Sequence, residues 1–152
     1  MNLTPDLTSL LLEFARHRIR YLVIGGHAVG VHARPRATKD LDLWIDPLPP
    51  NVTLACKALA SFGMPSDIIQ AVRYARMDDI VWVGKVPSRI DFLFSIPGIP
   101  DFESAWSRRV TITLAGNTVP IIGKADLIAN KRTVGRPRDR RDVKALESSK
   151  KA

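Results

Sequence analysis

Arg36-Ala37-Thr38-Lys39-Asp40-Leu41-Asp42-Leu43-Trp44-Ile45 is the stretch on which the fold turns, because it sets two carboxylates two residues apart in an otherwise apolar run. In an extended segment successive side chains alternate faces, so Asp40 and Asp42 share one side and Leu41 and Leu43 the other. Two like charges held that close repel each other unless a cation sits between them. Hard cations such as Mg²⁺ take oxygen ligands and are completed by substrate phosphates, so the pair suits metal-nucleotide chemistry. The competing reading is a polar loop entering an edge strand, with both Asp side chains paired to Arg34 or Arg36. Asp is depleted in strands, and two on one face beside Leu43-Trp44-Ile45 need a reason.

Upstream, Tyr21 to Ile24 reads as a short buried strand ending at Gly25-Gly26, and His27 to Ala33 reads as a helix. Strand, glycine turn and helix form a phosphate-binding arrangement: glycine permits positive φ and close backbone approach, and the helix start offers free N–H groups and its positive dipole end. Two glycines after a strand are by themselves more often just a turn. Downstream, Asp91 stands alone among large apolar groups in Arg89-Ile90-Asp91-Phe92-Leu93-Phe94. A buried, uncompensated carboxylate is costly, so Asp91 either pairs with Arg89 or another base, or binds an ion. Joined to Asp40 and Asp42 on an adjacent strand, it completes a carboxylate cluster able to hold two cations about 4 Å apart, the clamp used in phosphoryl transfer.

The remaining pattern predicts an α+β domain with a mixed sheet flanked by helices and a helical C-terminus. A first helix is capped by Thr4 and Pro5, with Leu7, Leu10, Leu11 and Phe14 as its apolar stripe. Val52 to Phe62 reads as a helix after a stiff Pro49-Pro50 loop, and Ser66 to Met77 fits either period. Strands are expected over Asp79 to Val83 and Arg89 to Phe94, a short helix over Asp101 to Arg108, and a hairpin about Ala115-Gly116-Asn117. Lys124 to Thr133 and Pro137 to about Glu147 close the chain as helices. Residues 1–147 thus form one domain, and 148–152 are expected to fray.

With 152 residues, 45% of them hydrophobic, the chain can bury a conventional core. A net charge of +8 favours anionic partners: nucleotide, nucleic acid or acidic protein. Cys56 is alone, which precludes an internal disulfide and fits a reducing compartment. Neither a membrane-spanning run nor a signal-peptide layout is present, so a soluble, cytoplasmic protein is expected.

Four motifs together resemble the DNA-polymerase-β-type nucleotidyltransferase superfamily, and within it the AbiEii-like and MenT-like group of abortive-infection and toxin-antitoxin systems. They are Gly25-Gly26-His27-Ala28-Val29, Arg36 to Asp42, Asp126 to Lys131, and Arg136 to Asp142, in the order that the family shows. The resemblance implies a nucleotidyltransferase fold and transfer of a nucleoside monophosphate from an NTP, with Mg²⁺ or Mn²⁺, to an RNA (tRNA) or protein acceptor. It implies that Asp40, Asp42 and Asp91 hold the metals and that Asp91 takes the acceptor proton. Gly25, Gly26, Arg36 and Thr38 would hold phosphates, and Lys131 and Arg136 would add positive charge. Members often carry Lys before the paired glycines; Ile24 stands here, so that contact is either missing or supplied by Lys39 or Lys131. The chain is also short, so that a partner protein, such as an antitoxin, is implied for acceptor binding.

Other residues have plainer readings. His32 reads as packing, His27 as shaping the turn and His17 as solvent-facing. Asp139 and Asp142, three apart on one helix face, read as partners that orient Arg138, Arg141 or Lys131. Trp44, Trp82 and Trp106 read as core or interface rather than as a base-stacking platform. The basic run from Lys131 to Arg141 reads either as a solvated face or as a phosphate or RNA contact. Two further functions stay open: a non-catalytic nucleotide- or RNA-binding regulator, and a small-molecule (antibiotic) nucleotidyltransferase.

Overall fold

The computed structural model describes residues 1–38 and 40–150; Lys39 and residues 151–152 lie outside the described set. Helix α1 (Pro5–Arg16) is followed by β1 (Tyr21–Ile24), α2 (Gly25–His32) and β2 (Asp40–Ile45). Helices α3 (Pro49–Phe62) and α4 (Ser66–Arg73) lead to β3 (Ile80–Val83) and β4 (Arg89–Leu93). Then come α5 (Phe102–Ser107), β5 (Val110–Leu114), β6 (Asn117–Ile121), α6 (Lys124–Val134) and α7 (Pro137–Ser148). The six strands form one mixed sheet in the order β3-β4-β2-β1-β6-β5, and the fold is α+β as the sequence implies. Strand β2 runs antiparallel to β1 but parallel to β4, and β1 runs parallel to β6.

This register sorts the side chains onto two faces. Leu41 and Leu43 pair with Ile90 and Phe92 on one face, all buried, with Val81 of β3 beside them. Apolar side chains of α1 (Leu7, Leu10, Leu11, Phe14) and α3 (Ala55, Leu59) belong to the same core. Each fully buried side chain of this size contributes about 1.5–3 kcal/mol relative to exposure. The opposite face carries Asp40, Asp42 and Trp44 of β2, Arg89, Asp91 and Leu93 of β4, and Ile80 and Trp82 of β3.

Several elements depart from the sequence reading for identifiable reasons. Helix α3 begins at Pro49, so the Pro pair fills a first turn where a missing N–H costs nothing, rather than stiffening a loop. Helix α2 begins at Gly25, two residues before the expected start. The ambiguous segment from Ser66 resolves as a helix with Asp67 in its first turn and Val72 buried. The hairpin turn is Ala115-Gly116, both at positive φ, and Asn117 already belongs to β6. Helix α7 includes Ser148, and the Ser149 hydroxyl donates to the His32 carbonyl at 2.9 Å, so the segment expected to fray is anchored at its start. Among the described residues no helix is long and apolar enough to cross a membrane.

The tryptophans divide. Trp44 is core, edge-on to Phe102 with centroids 5.2 Å apart, and Trp106 stacks on the same Phe102 at 5.8 Å. Trp82, read from the sequence as core or interface, is 56% exposed. It lies on β3, an edge strand of the sheet.

Candidate active site

Asp42 and Asp91 are direct neighbours in the parallel β2/β4 ladder, and Asp40 stands opposite Arg89 in the same register. All three carboxylates therefore project from one face, and they line one cleft of about 460 Å³ together with Gly25, Gly26, Arg36, Thr38, Lys131 and Arg136. Every site residue expected from the sequence borders this cleft. Its volume lies within the range of small-molecule sites.

The glycines are required by close approach. Gly25 has φ +67°, and a Cβ built on it would overlap the Asp42 carboxylate. A Cβ on Gly26 would lie 2.7 Å from Thr38 Oγ1 and 3.0 Å from Arg36 Nη2. The turn is thereby packed against the acids on one side and against the Arg36–Thr38 loop on the other. Thr38 Oγ1 donates to the Asp40 carbonyl at 3.3 Å, which draws that loop over the start of β2.

The acids are not equivalent. Asp91 accepts a hydrogen bond from Arg89 Nε at 2.9 Å, and the same nitrogen lies 3.9 Å from Asp40. The salt-bridge reading of Asp91 is thus realised, with Asp42 as its neighbour in the ladder. No described residue donates a hydrogen bond to the Asp42 side chain. Burial, then the charges of Asp91 and Asp40, push its carboxyl up to about 7, against the weaker pull of Lys131 and Arg138. Arg89 is held above its ordinary value, chiefly by the Asp91 hydrogen bond.

The basic residues are tied rather than free. Lys131, 5% exposed, places its ammonium 2.9 Å from Asp142 Oδ2 and 3.3 Å from Asp139 Oδ1. Arg36 grips Asp142 through Nε at 3.0 Å and Nη2 at 3.1 Å, and Arg136 Nε meets Asp139 Oδ2 at 2.8 Å. The result is an alternating chain, Arg36–Asp142–Lys131–Asp139–Arg136, that fastens the loop before β2 to α6 and α7. Burial alone would raise Asp139, but its Arg136 hydrogen bond and Lys131 outweigh that and hold it below the ordinary carboxylate range. Asp139 and Asp142 do orient basic groups, as expected, though the partners are Lys131, Arg36 and Arg136 rather than Arg138 or Arg141. Asp126, in the third motif, is turned away to a bidentate pair with Arg108 at 2.9 and 3.1 Å.

His32 is a packing residue, its Nε2 2.7 Å from the Ile122 carbonyl. His27 lines a second cavity of about 550 Å³ behind the Arg36–Thr38 loop, and burial, the chain N-terminus and Arg36 lower its pKa. His17 is half-buried, bonded to the Glu13 carbonyl at 3.0 Å, rather than solvent-facing. Sequence reasoning did not single out Asn130, Ile96 or Pro97 as cleft-lining residues. Asn130 is fixed by donating to the Pro97 carbonyl at 2.8 Å, a contact between a loop and a helix with no local signature. Lys39, one candidate for the missing phosphate contact, lies outside the described residues.

Three carboxylates, one of them half-buried and without a donor among the described residues, are the oxygen ligands that a hard divalent cation takes, so the donor set fits Mg²⁺ or Mn²⁺ in kind. As the side chains stand, no three His, Cys, Asp or Glu groups among the described residues converge to hold one ion. Asp91 is turned to Arg89, and convergence on a cation requires it to exchange that bond.

No protein-family model matches the chain, and no curated protein does. Several solved structures resemble it, two of them as follows. The lincosamide antibiotic adenylyltransferase LnuA, in its lincomycin-bound form, superposes with a TM-score of 0.58 at 16% identity, covering 97% of this chain and 99% of that one. An antigenic nucleotidyltransferase-like protein from Paracoccidioides brasiliensis gives 0.53 at 18% identity, covering 96% and 76%. At such identities the likeness shows the fold: a mixed sheet flanked by helices, as in nucleotidyltransferases.

Proposed function

We propose that the chain is a divalent-metal-dependent nucleotidyltransferase that moves a nucleoside monophosphate from an NTP to a hydroxyl of an RNA (tRNA) or protein acceptor. We place it in a toxin-antitoxin or phage-defence setting of the AbiEii-like or MenT-like kind, in the cytoplasm and with an antitoxin-like partner protein. The observation that carries the catalytic reading is the side-by-side placement of Asp42 and Asp91 on parallel strands, with Asp40 two residues away and the Gly25-Gly26 turn packed against Asp42.

In this reading Asp40, Asp42 and Asp91 hold Mg²⁺ or Mn²⁺. The bound metal supplies charge stabilisation for the oxygens of the phosphoryl group in transfer. Backbone N–H groups at the start of α2, Arg36 and Thr38 hold the triphosphate tail. Lys131 and Arg136 act through the ion-pair chain, positioning Arg36 and its loop more than neutralising phosphate directly. Asp91, released from Arg89, receives the acceptor's proton while the acceptor oxygen bonds to the α-phosphorus. The bond from that phosphorus to the bridging oxygen breaks, and pyrophosphate leaves.

The test is incubation with each labelled NTP, Mg²⁺ or Mn²⁺, and total RNA or protein. Transfer by wild type that is lost in Asp40→Asn is expected; absent transfer, or transfer indifferent to that substitution, sinks the reading. The likeness to a lincosamide adenylyltransferase supports a second reading, modification of a small molecule. The net charge of +8 disfavours a cationic drug, and a drug panel in the same assay separates the two. A non-catalytic regulator would gain thermal stability from NTP without Mg²⁺.

A further inference from the structure

Across the sheet the candidate site has a direction. The strand order β3-β4-β2-β1 puts, in sequence, Trp82, Asp91, Asp42 and the Gly25-Gly26 turn that follows Ile24. Phosphates held at the glycine turn and by Arg36 and Thr38 lie on the β1 side of the acids. In-line displacement sets the attacking and leaving oxygens on opposite sides of the phosphorus, so the attacking group approaches from the β4 and β3 side. That approach passes over Trp82, two strand spacings or roughly 10 Å from Asp42.

The surface there is built for a flat group. Trp82 stands directly opposite Asp91 and Ile80 opposite Leu93, all on the acid face. Trp82 and Ile80 are each 56% exposed, in contrast to Trp44, which α5 covers on the same face. The Arg89 guanidinium carbon lies 4.5 Å from the Trp82 ring centroid while its Nε bonds Asp91, so the indole is oriented by the group that also engages the acids. An open indole steadied by arginine stacks any nucleobase. On the α2 side of the cleft, across the acids from the shelf, Arg138 lines the cleft, and Arg141 and Lys144 follow it along α7 at helical spacing with Arg34 beside them. Arg34, Arg138, Arg141 and Lys144 make no ion pair among the described residues, which suits a phosphate backbone and opposes a cationic ligand.

We infer that Trp82, held by Arg89 and flanked by Ile80 and Leu93, is the positioning residue on which the terminal base of a single-stranded RNA acceptor stacks. This inference deepens the transfer reading above and rests on it for the location of the phosphates. The test measures binding of a labelled single-stranded RNA of about ten nucleotides, within the span of a typical single-strand site, by fluorescence anisotropy to wild type, Trp82→Ala and Trp82→Phe, with NTP·Mg²⁺ binding measured separately. Trp82 is exposed on an edge strand, and equal urea midpoints confirm that the variants fold.

The expected result is a roughly ten- to hundredfold weaker RNA complex for Trp82→Ala, substantial recovery in Trp82→Phe, and NTP affinity close to that of wild type. Where transfer is measurable, Trp82→Ala raises the acceptor KM by a like factor and leaves the NTP KM in place. RNA affinity unchanged by Trp82→Ala, a loss confined to NTP, or efficient transfer to a protein or drug that ignores Trp82 overturns the inference. Absence of any transfer defeats the catalytic reading instead, and the anisotropy series still decides the shelf.

Discussion

Replacing Asp42 by asparagine removes the group that binds metal in the proposed site, yet it stabilises the metal-free protein at neutral and alkaline pH. The Asp42 carboxyl is raised from 3.8 to about 7, by burial first and then by Asp91 and Asp40. A folded-state value above the unfolded one means that folding favours the protonated form. Stability is therefore fully present below about pH 4, drains as pH rises, and is lowest above about pH 7. A rise of about three pH units at about 1.4 kcal/mol each gives about 4 kcal/mol, which water still in contact with the side chain screens to roughly 2 kcal/mol. The asparagine amide is neutral like the protonated carboxyl and carries no such penalty. Urea unfolding in EDTA should find Asp42→Asn more stable than wild type by that amount at about pH 8, with the gap closing towards about pH 4.5. Added Mg²⁺ should then stabilise wild type and leave the variant unchanged. A gap independent of pH, or a variant less stable under the alkaline condition, refutes the electrostatic account of the cluster.

Gly26→Ala drives a Cβ to 2.7 Å from Thr38 Oγ1; NTP affinity should fall by roughly tenfold or more by calorimetry, since the phosphate contacts shift together. Lys131→Met leaves Asp139 and Asp142 buried with one partner fewer each; it should cost on the order of 3 kcal/mol in urea unfolding at neutral pH, and a loss below about 1 kcal/mol would show the ion-pair chain to be dispensable. Arg89→Ala frees Asp91 from its 2.9 Å bond, so Mn²⁺ should bind several-fold tighter by titration calorimetry; weaker binding would show that Arg89 supports the acids instead of competing for them.

The parts of this site visible in the sequence are those made by short-range rules. Alternation puts Asp40 and Asp42 on one face, and the glycine turn after Tyr21–Ile24 needs nothing beyond its neighbours. The pairing of Asp42 with Asp91 is different in kind, because it requires β4 to lie parallel to β2, with α3, α4 and β3 intervening. Position alone likewise offers Lys131 both as a cation beside phosphate and as one of three possible partners of Asp139 and Asp142, without choosing. Its burial depends on Asp139 and Asp142 from the next helix, and Arg36 joins them from 106 residues away. Of the two readings of Trp82, core and interface, exposure removes the first; strand periodicity does not say that β3 lies at the sheet edge. At the sheet edge more than half of its surface stays open among the described residues.

Charge at the site decides how a nucleotide can enter. With the three acids ionised and Arg89 opposing them, the sheet face carries two net negative charges. The chain Arg36–Asp142–Lys131–Asp139–Arg136 has three cations against two anions, and so returns only one positive charge. Arg138 lines the same cleft without an ion pair among the described residues and adds one more, so a bare triphosphate would meet a surface with no net positive charge, since Lys131 is spent on Asp139 and Asp142. Divalent cations make that neutral surface positive, so metal and nucleotide should bind as a unit. In a thermal shift titration NTP in EDTA should leave the melting temperature of wild type in place, while the same NTP with Mg²⁺ raises it by a few degrees or more. The Asp139→Asn variant, which frees part of the Lys131 charge, should acquire measurable metal-free NTP binding. If wild type binds NTP equally well in EDTA, the basic chain supplies more charge to the phosphates than its ion pairs allow, and the assignment of Lys131 and Arg136 as positioning groups is wrong.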